Sequence, residues 1–448
     1  MLADGILAED AYYRALARHL RLPFFTGEVG FDASLDPAKA MASGIAPLRP
    51  NPFGVRSVVA PRGASIRFLT AAAAEGRSLA GLAVASPRRF NELIRLRAGA
   101  TVAAAAAGDL GRRDPSLSAY AAPSRAAAAA VVGVAFALGP AAPGWLETAV
   151  STCLWVTFAA WIVTRNLAVA AAAGSGGPGE FQADEALPVY SIVAPLYREA
   201  NMVARLARAL EALDYPRAKL DIKLVVEADD AATLAAVRAL ELPPPYEIII
   251  APPGQPRTKP RALNIALAAV RGEFVVVYDA EDIPDPDQLR LAAARFAADP
   301  GLDCLQARLT VENSGEAWLA HMFALEYAAL FDLINPGLAA LGLPIALGGT
   351  SNHFRARTLR KVGGCDAWNV TEDADLGIRL ARCGALVGAL HSDTKEEAPV
   401  RFSVWYWQRV RWQKGWMQTL IVHSRRPARI VRELGVARAA AAMAMIGG

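Results

Sequence analysis

From residue 187 onward, short apolar runs alternate with longer stretches in which apolar residues recur at helical spacing. Read in order, the pattern predicts strands at Ser191–Leu196, Ile222–Val226, Glu247–Ala251 and Phe274–Tyr278. Helices are expected between them at Ala200–Leu213, Ala231–Leu240 and Arg261–Val270. Strand runs that are apolar throughout belong to parallel sheets covered on both faces. The fold class expected is therefore α/β, and such sheets bind nucleotides outside the carboxyl ends of their strands. Upstream, residues 1–125 open with an amphipathic stretch, Ile6–Leu22, for which Asp10 is a candidate N-cap. Short runs at Ser57–Ala60 and Ser65–Leu69, punctuated by Pro and Gly, read as strands, so a small α+β domain is expected there.

Between these zones lie apolar runs at Ala126–Ala142 and Leu146–Val163, joined by a turn carrying Gly139-Pro140 and Pro143-Gly144. A bilayer crossing takes about 17–25 apolar residues. Arg112, Arg113 and Arg125 precede the first run, Arg165 follows the second, and the connection carries only Glu147. Basic residues gather on the cytoplasmic side, so residues 126–173 are expected to form a transmembrane hairpin with both flanking domains in the cytoplasm. The competing reading is a pair of buried helices in an Ala-rich soluble protein. Gly174–Gly179 is a flexible linker by composition, and residues 174–186 are assigned to it. A last apolar run, Val436–Ile446, reads as the start of a further membrane segment within residues 424–448, in a chain expected to be truncated.

Composition strengthens the membrane reading: 54% of residues are hydrophobic, with a mean hydropathy of +0.25. Charge is nearly balanced, 47 Lys+Arg against 43 Asp+Glu, too mild for a nucleic-acid binder with its concentrated basic face. The cysteines (Cys153, Cys304, Cys365, Cys383) show no zinc spacing and read as isolated reduced thiols.

The acids change the picture most. The strand Phe274–Tyr278 ends in Asp279-Ala280-Glu281-Asp282, where alternate carboxylates can chelate a hard cation, Mg²⁺ or Mn²⁺. A second cluster, Glu227, Asp229 and Asp230, closes the strand at Ile222–Val226 and is suited to holding a base or ribose. Thr371, a candidate N-cap, is followed by Glu372 and Asp373, which puts both acids in a first helical turn where the dipole favours the ionised form. A carboxylate held ionised can deprotonate an acceptor hydroxyl. Farther on, the Trp-rich stretch 405–416 places Gln408, Arg411 and Trp412 on one helical face, combining pyrophosphate donors with a flat ring for a sugar. Its other faces, with Arg409 and Lys414, suit a helix in the headgroup region.

These motifs carry a resemblance. Residues 187–423 resemble the family 2 glycosyltransferases of the cellulose-synthase-like group, whose fold is GT-A. The family's early Asp, DxD-type motif, TED and QxxRW are matched in order by Asp229-Asp230, Asp279–Asp282, Thr371-Glu372-Asp373 and Gln408–Trp412. Lys259–Asn264 resembles the lysine segment lining the donor site, and Gly348–Phe354 the small-residue loop beside the acceptor. The resemblance implies that Asp229 or Asp230 contacts uridine, with Glu227 adjoining, and that Lys259 lies at the donor. Asp279 and Glu281 would hold metal and diphosphate, with Asp282 an alternative second carboxylate. Asp373 would be the general base beside Glu372, Gln408 and Arg411 would hold pyrophosphate, and Trp412 would stack on the acceptor near Gly349, Thr350, Ser351, Asn352 and His353. The N-terminal stretch Gly5–Phe25 resembles the small domain that begins type II secretion ATPases, which in some proteins binds cyclic di-GMP, although the upstream half of that nucleotide-binding repeat is missing.

The expected protein is a multi-pass inner-membrane, inverting hexosyltransferase, moving a sugar from a nucleotide-sugar donor, UDP-glucose or a related UDP-hexose, to a growing polysaccharide. Single-sugar transfer to a lipid carrier and a non-enzymatic membrane scaffold are the alternatives. A secretion-type ATPase is excluded because no Gly-Lys dipeptide exists for a phosphate loop. A zinc hydrolase is excluded because the five histidines form no HExxH.

Overall fold

A computed structural model describes residues 8–121, 144–172 and 179–447. By contact the chain divides into two compact units. The first comprises Met1–Ala107, Leu187–Arg208 and Tyr215–Ala280, and the second Gly108–Ala186, Ala209–Asp214 and Glu281–Gly448.

In the first unit, a small sheet joins β1 (Ile45–Pro47), β2 (Ser57–Val59) and β3 (Leu82–Val84) in that order, antiparallel and then parallel. The opening helix is Glu9–His19; Tyr13, Leu16 and Ala17 pack with Val59, Leu69 and Val84. Ala8, not Asp10, is at the N-cap. Asp10 lies in the first turn and instead accepts hydrogen bonds from the Ser86 hydroxyl at 2.5 Å and the Arg89 guanidinium at 2.7 Å. The expected strand at Ser65–Leu69 is also corrected: it lies within the helix Ala64–Ala74. Ile66, Leu69 and Ala73 meet the same core at helical spacing, a period that a five-residue window does not expose.

The first unit's larger strands are β4 (Tyr190–Leu196), β5 (Leu220–Glu227), β6 (Tyr246–Ala251) and β7 (Phe274–Val277), ordered β6-β5-β4-β7 and parallel throughout. The expected parallel sheet is therefore present, with ends differing by a residue or two. Every residue of β5 is buried, including Asp221 and Lys223 at its amino end. Lys223 Nζ lies 2.8 Å from Asp221 and 2.5 Å from Glu247, and Arg95 reaches Glu247 at 3.2 Å. Burial opposes the charge of Glu247, but Lys223 and Arg95 hold its carboxyl down at about 2.

The second unit contains β8 (Ile283–Pro284), β9 (Leu302–Val311), β10 (Asn352–Arg355) and β11 (Leu386–Glu396), ordered β10-β9-β11-β8. β9 and β11 are parallel, while β10 and β8 run antiparallel to their neighbours. The expected span Leu146–Val163 lies inside one helix, Gly144–Ala171, whose apolar window has a mean hydropathy of 1.5 and is not buried. The partner span Ala126–Ala142, its turn and most of the Gly174–Gly179 linker lie outside the described residues. Among the described residues one long apolar helix is observed, and the other arm of the expected hairpin lies outside them. Near its end, Ala168 is buried against Gly337, where a Cβ would overlap the Ala168 carbonyl. Val436–Gly447 is a shorter apolar helix whose Ala439, Ala442 and Ile446 pack with Ile378 and Ala381.

Candidate active site

Of the acids at the carboxyl ends of the first unit's strands, Glu227, Asp229 and Asp279 are paired with cations. Glu227, the last residue of β5, receives the buried Arg261 guanidinium at 2.6 Å, and Arg261 also donates to the Pro252 carbonyl at 3.1 Å. Asp229 pairs with Arg257 at 2.7 Å, with half of its side chain exposed. Asp230 is nearly buried and caps the helix Ala231–Ala239, accepting from Thr233 N at 3.2 Å and from Arg198 N at 2.5 Å. Burial opposes its ionisation, yet these hydrogen bonds hold its carboxyl below the usual range. Of the Asp229–Asp230 pair, Asp229 is the carboxylate open to solvent.

Beyond β7, Asp279 lies 2.5 Å from the Lys259 ammonium, and both side chains are about a third exposed. Lys259 opens the helix Lys259–Leu267, with Pro260 beside it in the first turn. Glu199, on the loop after β4, was not singled out in the sequence. Burial, then the charges of Asp279 and Asp230, push its carboxyl above the ordinary value. The available signal was its place just past a strand's carboxyl end. Arg257 and Arg261 were missed too, because a cation roughly thirty residues from its acid leaves no local pattern.

In the second unit, Asp282 is fully buried and accepts the Thr350 hydroxyl. Ser351 donates to the Thr394 hydroxyl at 2.6 Å, and Asn352 to the Gly348 carbonyl at 2.5 Å. Ser351 is left-handed at φ 55°. Asn352 and His353 belong to β10 rather than to a loop. His353 faces Gln288 at 3.2 Å, and burial pushes its imidazole down to about 3, which keeps it neutral. Gly349 is partly exposed, whereas Thr350, Ser351, Asn352 and His353 are buried, placing these four where they shape the segment.

Thr371 stands at the N-cap of the helix Glu372–Arg382, but its hydroxyl makes no cap; the first turn carries Glu372, Asp373 and Asp375. Glu372 and Asp373 are partly exposed, and Asp373 accepts from Ala374 N at 2.8 Å. The approach to this helix is fastened to the Trp-rich helix Phe402–Ser424. Asn369 donates to Thr419 at 3.0 Å and Val370 N to Gln418 at 3.1 Å, while a Cβ at Gly415 would overlap Thr371. On that helix Arg411 is exposed, and Gln408 and Trp412 are partly buried. Trp412 packs with Phe323, ring centroids 6.0 Å apart, and the Arg409 guanidinium lies 4.6 Å over its ring. Arg409 also pairs with Glu326 at 2.7 Å, so it belongs to this cluster. Phe402, Tyr406, Val410 and Met417 form an exposed apolar face on the same helix, beside Trp405.

Among the described residues, no three His, Cys, Asp or Glu side chains gather as a metal site. Magnesium, however, takes one or two carboxylates and completes its shell with water and substrate phosphates. Asp279 fits that requirement, as a hard oxygen donor open to solvent at a strand end. Asp282, buried on Thr350, does not fit.

Acids at the carboxyl ends of parallel strands, three of them paired with cations, lie where sheets of this class bind nucleotides. Residues 188–415, half of the chain, match the family described as Glycosyltransferase like family 2, and the chain belongs to that family. The expected α/β GT-A class stands with this assignment. The chain is 25% identical over 234 residues to "Probable glycosyltransferase YdaM" of Bacillus subtilis, covering 51% of this chain and 55% of that protein. It is 26% identical over 280 residues to a beta-monoglucosyldiacylglycerol synthase of Synechocystis, covering 59% and 57%. It is 28% identical over 146 residues to glucomannan 4-beta-mannosyltransferase 2 of Arabidopsis thaliana, covering 32% and 27%. The chain thus spans about half the length, or less, of these curated relatives. Among solved structures, the mannosyltransferase PcManGT of Pyrobaculum calidifontis, in complex with GDP-Man and Mn²⁺, aligns with a TM-score of 0.47 at 22% identity, covering 64% of this chain and 84% of that one.

Proposed function

We propose that this protein is an inverting hexosyltransferase that works at the cytoplasmic face of the inner membrane, taking a sugar from a UDP-hexose and adding it to a growing polysaccharide. The observation that supports the reading is the Lys259–Asp279 pair just beyond β7, a cation and a hard carboxylate of the kinds that a diphosphate and its metal ion would need. Lys259 would bind the diphosphate, and Asp229 with Arg257 would take the nucleoside. A Mg²⁺ or Mn²⁺ ion on Asp279, with Glu281 as its expected second ligand, would neutralise charge on the leaving diphosphate. Asp373 would accept the proton of an acceptor hydroxyl as that oxygen attacks the anomeric carbon from the face opposite the departing diphosphate. Gln408 and Arg411 would hold pyrophosphate oxygens, and Trp412 would border the acceptor.

The exposed apolar helix Gly144–Ala171 supports attachment to a bilayer. The small N-terminal domain is read as a regulatory or docking domain; cyclic di-GMP is its candidate ligand, and calorimetry on the whole chain tests that binding. A lipid-linked acceptor is the second reading, favoured by the exposed apolar face beside Trp405 and Tyr406. Product analysis with UDP-glucose and a divalent ion tests the proposal. Polymer supports the first reading and a lipid-extractable monoglycoside the second. Asp373→Asn should lower turnover by about 10²–10⁴-fold at nearly unchanged donor KM; turnover close to that of the parent protein sinks the base assignment.

A further inference from the structure

The second unit contains a ladder of charged side chains that the proposed chemistry does not use. It begins at Asp375, fully buried in the same helical turn as Asp373. Asp375 Oδ2 receives Arg379 Nε at 2.7 Å, and its Oδ1 lies 3.1 Å from His423 Nε2. The other imidazole nitrogen, Nδ1, lies 2.9 Å from Arg382 Nη1. A guanidinium only donates, so Nδ1 accepts, the proton sits on Nε2, and His423 donates it to Asp375. The ladder continues outward from Arg382 to Glu433 at 2.6 Å, from Glu433 to Arg429 at 2.6 Å, and from Arg429 to Asp114 at 2.6 Å. The segment bearing Asp114 is held again at Asp366, which accepts from Ser118 Oγ at 3.0 Å and Ala119 N at 2.5 Å. Arg425 donates to the Pro115 and Ser118 carbonyls at 3.0 and 2.8 Å.

Helix geometry gives this ladder a consequence for Asp373. Residues two apart on an α-helix point about 200° away from each other. Anchoring Asp375 inward therefore turns Asp373 outward, and Asp373 is the partly exposed acid of the two. The anchor comes from the helix that also carries Gln408, Arg411 and Trp412. We infer that His423 and Asp375 are positioning residues for Asp373, setting the rotation of the helix that bears it, with Asp114–Ala119 as the outer brace of the same ladder. The inference rests on the reading of Asp373 as the base.

The test compares His423→Gln, which keeps a donor and an acceptor, with His423→Leu, which keeps neither. Both are assayed in the full chain with UDP-glucose, and rates are normalised to the folded fraction. A displacement of this kind costs on the order of 10²-fold in rate. His423→Leu should therefore lose kcat by that order with donor KM unchanged, and His423→Gln should recover most of it. A merely structural histidine would lower the folded fraction and leave kcat per folded molecule at the parent value, which overturns the inference. Should His423→Leu not fold, Asp375→Asn takes its place, with an intermediate kcat loss expected and the parent kcat overturning. Hydrogen exchange at residues 370–375, which needs no turnover, separates the two failures. If the parent protein transfers no sugar, the functional reading fails. Unchanged exchange in the folded variants then counts against the positioning role on its own, and faster exchange supports it.

Discussion

The two ends of the first unit's parallel strands carry ion pairs that differ in burial, with Glu227–Arg261 the buried exception at the carboxyl end. At the amino ends, Asp221, Lys223, Glu247 and Arg95 form a buried charged group, which the partly exposed Arg271 joins through Asp221 at 2.6 Å. At the carboxyl ends, Asp229 with Arg257 and Asp279 with Lys259 are pairs of similar length that remain partly open. A buried pair cannot exchange its partner without leaving a charge uncompensated in low dielectric. An open pair exchanges readily, since water screens what is left behind. Burial, rather than charge or distance, separates charges that hold the sheet from charges that can take up a diphosphate.

The largest effect is expected where the buried group is broken. Lys223→Met strips Asp221 and Glu247 of their shared cation, leaving each with one partner, Arg271 and Arg95, and should cost about 1.5–3 kcal/mol for each hydrogen bond lost to a charged group. Denaturant unfolding measures this, and donor affinity of the folded fraction should not move. Next comes the open end: Lys259→Ala should weaken donor binding by about 10–100-fold, the range of a hydrogen bond to a charged group, while the melting temperature holds. Titration with UDP checks it, and a loss of stability without a loss of affinity would reverse the assignment.

Acid separates the two ends less sharply. Glu247 is depressed from an ordinary 4.5 to about 2, so its contribution is complete above 4.5 and is lost as pH falls toward 2. Glu247→Gln should flatten the pH dependence of stability across that window. A slope equal to that of the parent protein would show that other carboxylates dominate. The smallest effect is expected at the exposed Asp229–Arg257 pair, where Asp229→Asn should change stability by about 0–1 kcal/mol and act only on nucleoside affinity.

The contrast also explains what the sequence disclosed. Strands β4 to β7 were legible because burial on both faces makes their runs apolar almost without interruption, and their acids because a carboxylate is conspicuous after such a run. Lys223 lies inside the run Ile222–Val226, paired with Asp221 of its own strand and with Glu247 of β6, and the second pairing leaves no local pattern. Asp282, expected as an alternative metal ligand, and His353, expected beside the acceptor, are both buried, a property their neighbours in sequence do not encode. Ser65–Leu69 failed for want of length, one helical turn and one short strand being alike over five residues.

The contact of Gly337 with Ala168 has one more implication, for handling the protein outside a membrane. Helices that meet through small residues adhere by close atomic fit rather than by the expulsion of water. Such adhesion does not depend on a surrounding bilayer, so if the long apolar helix is membrane-bound as proposed, extraction should leave it seated on the helix Asn335–Ala340. A purified preparation should accordingly retain this joint, and a bulky residue at 337 should pry it open in every medium.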